Sequence, residues 1–197
     1  LHKLENNSFI TFEKHRISTL LPELGKGNIA FNIQDSILKI EGEFSKSLSQ
    51  TKSKSTLKPK GFHVSSSILS AEIQDTIHYF FQKQGFDLPK TKAISINYAG
   101  IQMGNGGIIP KMDLLIEFDS ILSKNAFIQP QSWRNLGFTI SQISDQDFNL
   151  SNGSNQFILS FLDDQTIFIG SDKASLQNKP NDRLFYLTGD ARYLTAI

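Results

Sequence analysis

Short runs in which apolar residues alternate with polar ones recur along most of this 197-residue chain. The clearest example is the segment 155–170, where two runs rich in Phe and Ile flank the acidic residues Asp163 and Asp164. This pattern predicts a β-hairpin. The same alternation predicts strands or hairpins in four further segments: 27–44, 93–118, 136–143 and 183–188.

A helical period of three to four residues is clear in one long segment, at about 66–84. Serines at its start can cap it, and Gly85 follows it as a residue suited to end a helix. The apolar positions on its single face are Leu69, Ile73, Ile77 and Phe80 or Phe81. The pattern therefore predicts an amphipathic helix of about five turns.

The predicted fold class is α+β. Strands outnumber helices and are mostly joined by short turns, which favours antiparallel pairing over βαβ crossovers. We expect mostly antiparallel sheet, in one or more sheets, covered by one main amphipathic helix at about 66–84. We also expect short additional helical turns, one of them at 120–126.

Residues 45–60 interrupt the pattern because they are rich in Lys and Ser and poor in apolar side chains. Such a composition does not offset the entropy of ordering, so a mobile loop is expected there. The whole chain, 1–197, is then a single α+β domain. The alternative is a small N-terminal unit, 1–44, followed by a main domain, 61–197.

Composition and charge narrow the classes of function. The formal net charge is +1, with ten basic and six acidic residues in 1–60 and ten basic and thirteen acidic residues in 61–197. This split is too mild for the strongly basic face that nucleic-acid binding requires, so no nucleic-acid partner is expected. Because the chain has no cysteine, disulfides and thiol catalysis are excluded.

The sequence contains no phosphate loop, nucleophile motif or cofactor fingerprint, and no cofactor is expected. The best catalytic candidates are Asp75 and His78, which lie three residues apart on the predicted helix, where a carboxylate can orient an imidazole. A solvated surface pair is the stronger interpretation, because the sequence reveals neither a cleft nor a nucleophile beside them.

A calcium site is considered at Asp145, Asp147 and Asn149, whose oxygen side chains occupy alternate positions. A calcium loop needs Gly at its sixth position and Glu at its twelfth, but Leu150 and Gln156 stand there. We interpret the segment as a polar strand followed by a turn, and we expect no metal.

The candidates for ligand or partner binding are Trp133 and Arg134, which follow Pro130. An exposed tryptophan beside an arginine suits such a contact. A single Trp near a strand more often anchors the core, and that interpretation is favoured here.

The leading hypothesis is a non-enzymatic, extracytoplasmic domain of a bacterial envelope-associated protein, in the periplasm or cell envelope. It is based on the polar, uncharged surface, on the Ile, Lys, Asn and Phe bias and on the missing catalytic motif. We expect the sequence to be a piece of a longer protein, whose other parts bring it near a membrane. The expected partner is a protein or a small apolar ligand. Two alternatives stay open: a hydrolase with a site assembled from distant residues, and a lipophilic-ligand carrier.

Overall fold

The structure, a computed structural model, describes residues 8–12, 27–34, 37–44, 55–67, 69–104, 107–153, 155–177 and 185–190. The strands in these ranges are β1 (Ser8–Phe12), β2 (Gly27–Gln34), β3 (Ile37–Phe44), β4 (Thr56–Leu57), β5 (Phe62–Ser66), β6 (Thr91–Gly104), β7 (Gly107–Phe118), β8 (Thr139–Gln142), β9 (Asp147–Asn152), β10 (Asn155–Phe161), β11 (Thr166–Gly170), β12 (Leu176–Gln177) and β13 (Phe185–Asp190). The helices are α1 (Ala71–Lys83), α2 (Lys124–Phe127) and α3 (Pro130–Asn135).

An 11-stranded sheet, in the order β1-β2-β3-β13-β5-β6-β7-β11-β10-β9-β8, forms the body of the described chain. Its neighbouring strands pair antiparallel, and β4 and β12 form a separate two-stranded sheet. Together with α1 this confirms the predicted α+β class. The late strand β13 lies between β3 and β5, so it joins the hairpin β2–β3 to the remaining strands.

The predicted hairpins are confirmed. Segment 155–170 forms β10 and β11, in which Phe161 pairs with Ile167 across the acidic turn. Segment 27–44 forms β2 and β3, in which Gln34 pairs with Ile37. Both succeed because the turn and its two strands are adjacent in sequence, so local patterning specifies the pairing.

Helix α1 is shorter than the periodicity predicts, because it begins at Ala71 rather than at residue 66. Ser66 ends β5 instead, where it pairs with Ile94 on one side and Phe185 on the other. Backbone pairing with two neighbouring strands holds this segment extended. The helix starts after Ser70, whose Oγ accepts a hydrogen bond from the N–H of Ile73 at 3.3 Å.

An aromatic core covers one face of the sheet. Phe86, Phe127 and Trp133 are buried, with ring centroids 5.2 to 5.5 Å apart. Helices α2 and α3 supply two of these rings, and α1 packs against them through the half-buried Phe81. Because α1 has no fully buried residue, the short helices and the loop at Phe86 contribute most of the buried cover.

The other face of the sheet carries a smaller cluster in which Leu57, Leu115 and Phe168 are buried. Leu57 lies in β4 and pairs with Leu176 of β12. The end of the predicted loop, 55–60, is therefore tied to the sheet by pairing and burial, whereas 45–54 lie outside the described residues. In the described part of the chain, no helix combines the length and the apolar content of a membrane span.

Candidate functional site

A line of buried polar side chains crosses the sheet on the face opposite the aromatic core. His63 of β5 pairs in register with Asn97 of β6, and Asn97 pairs with Asp113 of β7. These residues are only 3%, 1% and 7% exposed, respectively. Paired residues of neighbouring strands point to the same face, so the three side chains form a continuous row, called here the polar row.

A hydrogen bond of 2.6 Å joins Nδ1 of His63 to Oδ1 of Asn97. The amide nitrogen of Asn97 donates to the backbone oxygen of Lys58 at 3.0 Å, which fixes the orientation of the amide. Since Oδ1 of Asn97 can only accept, Nδ1 of His63 carries the proton. Burial lowers the pKa of His63 below 6.5, and the hydrogen bond with Asn97 only partly opposes that effect.

This lowered pKa makes stability depend on pH. The unfolded chain binds a proton on His63 more readily than the folded chain does. The contribution of this residue is therefore fully present above about pH 6.5 and is lost as pH falls through the folded pKa. We expect His63→Gln to reduce the loss of unfolding free energy between pH 7.5 and pH 5, measured by urea denaturation. Parallel pH curves for both proteins would contradict this expectation.

Asp113 ends the polar row, and its carboxylate differs from the other two members in its bonding. No hydrogen bond or ion pair to it is found among the residues that the structure describes. A Cβ atom at Gly170 would lie 2.5 Å from its Oδ1 and 2.5 Å from the ring of Phe168. Glycine at position 170 therefore leaves the space that this buried carboxylate occupies.

Asp113 lines a cleft of about 290 Å³ that opens to solvent. The backbone of Lys58 is fixed at its side, because its N–H donates to the oxygen of Ser175 at 2.7 Å and its oxygen accepts from Asn97. The residues lining this Asp113 cleft are Lys58, Pro59, Lys60, Asp113, Ser171, Asp172, Ala174 and Ser175. Two lysines, two aspartates and two serines thus surround a space of small-molecule size.

Among the described residues, no hydrogen bond joins the predicted catalytic residues Asp75 and His78. The Oδ1 atom of Asp75 accepts a hydrogen bond from Nζ of Lys90 at 2.8 Å, and both side chains are about half exposed or more. Nδ1 of His78 has no hydrogen-bond partner in the described ranges. Both residues lie on α1, outside the lining of the Asp113 cleft.

Of the residues considered for calcium binding, Asp147 and Asn149 lie in β9 and Asp145 precedes it. Strand β9 is the polar strand that the sequence predicts. Asp147 pairs with Lys173, and it also accepts a hydrogen bond from Oγ of Ser144 at 3.2 Å. Asp145 is exposed and Asn149 is half buried. Within the described ranges, no group of three His, Asp or Glu residues is arranged to hold a metal ion.

Trp133 and Arg134 lie on α3 but in different surroundings. Trp133 is buried in the aromatic core, where its Nε1 donates to the backbone oxygen of Phe127 at 2.8 Å. Arg134 is exposed. A partner would therefore meet the arginine without the indole.

Sequence patterning missed the polar row, because its members lie in three strands and share no local motif. A weak signal exists at Asp113, which stands beside Leu114, Leu115 and Ile116 in a predicted strand. A charge at such a position is inconsistent with ordinary core packing. The site is recognised only from the register of β5, β6 and β7, which places Asp113 beside Asn97 and His63.

Comparisons with known protein families, with curated proteins and with solved structures find no match to this chain. The fold is that of an α+β protein with a large antiparallel sheet. A function is therefore inferred from the polar row and the Asp113 cleft on one face of that sheet.

Proposed function

We propose that this chain is a non-enzymatic binding domain of a bacterial envelope-associated protein and holds a small polar ligand in the Asp113 cleft. The observation that carries the proposal is the side chain of Asp113, which is only 7% exposed, lines the cleft and has no hydrogen bond or ion pair with the described residues. A carboxylate that is mostly removed from water and has no protein partner lowers stability, and such groups cluster where a protein contacts a ligand.

The lining of the cleft supports binding over hydrolysis. Ser171 and Ser175 are the hydroxyl groups there, and Oγ of Ser175 donates to the backbone oxygen of Asp172 at 3.3 Å. No histidine belongs to the lining residues of the Asp113 cleft. A serine nucleophile needs a base within hydrogen-bond reach, and among the described residues neither hydroxyl is hydrogen-bonded to a His, Lys or Asp side chain.

The packing beneath the helices opposes a lipophilic-ligand carrier. Such a carrier needs an apolar cavity between the helices and the sheet. Phe127, Leu159 and Ile167 are fully buried there, and the ring of Phe127 contacts that of Phe161 with centroids 5.8 Å apart. The Phe-rich composition therefore serves core packing, which favours a polar ligand on the opposite face.

The proposed extracytoplasmic location is argued from composition and is tested separately. A reporter fused to the full-length gene product should be active only on the outer side of the cytoplasmic membrane. Retention of the fusion in the cytoplasm would contradict the envelope assignment and leave the binding site to be judged by its own test.

The site itself is tested by Asp113→Asn, which keeps the shape of the side chain and removes its charge. We expect this variant to be more stable than the unsubstituted chain by about 1 kcal/mol, because the neutral amide avoids the cost of a charge that the cleft solvates only in part. Urea denaturation followed by fluorescence measures the difference. Functional sites show such a gain when a required but destabilising group is removed.

The matched control is Asp164→Asn, which makes the same chemical change at an exposed position. Its unfolding free energy should stay within about 0.5 kcal/mol of the unsubstituted value. If Asp113→Asn instead lowers stability clearly more than this control does, the carboxylate of Asp113 has a structural role and the proposed site is wrong.

A further inference from the structure

We infer that the Asp113 cleft binds a compact zwitterion, an amino-acid-like molecule with a primary ammonium group at one end and a carboxylate at the other. The inference rests on the proposed function and gives its ligand a chemical class. It follows from the charges of the lining, from their partners within the described chain and from the size of the cleft.

The ammonium end is assigned by Asp113. A primary ammonium group has three N–H donors, and a charge-assisted hydrogen bond to a buried carboxylate is among the strongest that a site offers. The second acid in the lining, Asp172, is exposed to solvent, where an ion pair contributes little, and its Oδ1 also accepts the N–H of Ala174 at 2.9 Å. Asp113, which is only 7% exposed, is therefore the stronger site for the cation.

A metal ion fits the same cleft poorly. Calcium takes six to eight oxygen ligands, often from several carboxylates, and magnesium requires near-octahedral oxygen coordination. Here the two aspartates of the lining are accompanied by Lys58 and Lys60. Two positive side chains at the same cleft repel a divalent cation more strongly than they repel a singly charged ammonium group.

The carboxylate end is assigned by Lys58 and Lys60. Both side chains are exposed at the cleft, and neither forms an ion pair within the described part of the chain. A ligand with only a positive charge would add a third cation beside them. A ligand that also carries a carboxylate neutralises this repulsion and gains charge-assisted hydrogen bonds from the lysines.

The volume sets the size of the ligand. At about 290 Å³, the cleft lies at the lower end of the range of roughly 300 to 1,000 Å³ that is typical of small-molecule sites. This space suits a single amino-acid-sized molecule rather than a nucleotide or an oligosaccharide. A free zwitterion also differs from a peptide terminus, which carries only one of the two charges.

The test is a calorimetric or NMR titration of the full 197-residue chain with glycine, β-alanine, 4-aminobutyrate and 5-aminopentanoate. Butylamine and butyrate are the matched ligands with a single charge. We expect saturable binding of at least one zwitterion, at least tenfold tighter than either singly charged compound. The series also measures the spacing between the ammonium and carboxylate contacts.

Two variants test which side chains bind the two charged ends of the ligand, and a third is the control. Asp113→Asn and the double variant Lys58→Gln/Lys60→Gln should each weaken binding of the preferred zwitterion at least tenfold. The lysine changes leave the main-chain hydrogen bonds of Lys58 in place, because these bonds involve only its backbone atoms. Lys83→Gln, at an exposed lysine in the last turn of α1 and outside the cleft lining, should leave the affinity unchanged.

Two results would overturn the inference. Butylamine binding as tightly as 4-aminobutyrate would show that the lysines do not recognise an anion. Binding by no member of the series, with Asp113→Asn still more stable than the unsubstituted chain, would reject the zwitterion and leave a polar site for another ligand. A destabilising Asp113→Asn instead rejects the proposed function itself.

Discussion

Replacing Phe127 by alanine is expected to lower the free energy of unfolding by about 3 to 5 kcal/mol. The ring of Phe127 is 0% exposed and contacts Phe86, Trp133 and Phe161, with centroids 5.5, 5.4 and 5.8 Å away. Its removal leaves a cavity that these rings only partly fill. Trp133 is the sole tryptophan, so its fluorescence during urea denaturation reports on this part of the core directly.

The control for this effect is Phe80→Ala, the same chemical change on α1. The side chain of Phe80 is 50% exposed, so its removal should cost about 1 kcal/mol or less. A loss at Phe80 equal to that at Phe127 would mean that α1, rather than the short helices α2 and α3, supplies the essential cover of the sheet.

Replacing Gly61 by alanine is expected to cost about 2 to 5 kcal/mol, from two effects that add. The backbone of Gly61 has φ +65°, a conformation that side-chain-bearing residues adopt only with strain. In addition, a Cβ atom there would lie 2.2 Å from the oxygen of Tyr98 and 2.8 Å from the Cα of Ala99. Backbone atoms of β6 would have to move, which is an overpacking cost of about 1 to 3 kcal/mol.

Gly153→Ala separates the two effects. Gly153 has φ +59°, but no atom lies within 4 Å of an added Cβ. Its substitution should therefore cost only the conformational strain, about 1 to 2 kcal/mol. Urea denaturation of both variants gives the difference that belongs to the close approach of Gly61 and β6. Equal losses at the two glycines would contradict that explanation.

The sequence predicts an element well when the residues that determine it are close together in sequence, and poorly when they are far apart. The hairpin β10–β11 is predicted correctly because its apolar runs and acidic turn are contiguous. The start of α1 is misplaced because β5 is held by partners at Ile94 and Phe185, far away in sequence. The segment 129–131, with Pro130 at its centre, predicts a loop, but helix α3 begins at Pro130, because proline is also well suited to the first turn of a helix.

The candidate site is less predictable than the fold. Asp75 and His78 attract attention because they are near each other in sequence, yet the carboxylate of Asp75 contacts Lys90. His63, Asn97 and Asp113 have no spacing that suggests chemistry, and they become neighbours only through the register of three strands. Local periodicity specifies which face a residue occupies, whereas the pairing register specifies which residues share it.

Because β13 lies between β3 and β5, the sheet can be completed only after this late strand has been synthesised. During synthesis, β3 and β5 emerge from the ribosome more than one hundred residues before the strand that separates them. Until β13 is made, both strands present unpaired backbone edges, which are sites of premature association. Completion of the sheet depends on contacts of high sequence separation, so we expect slow folding and a nascent chain that benefits from chaperones.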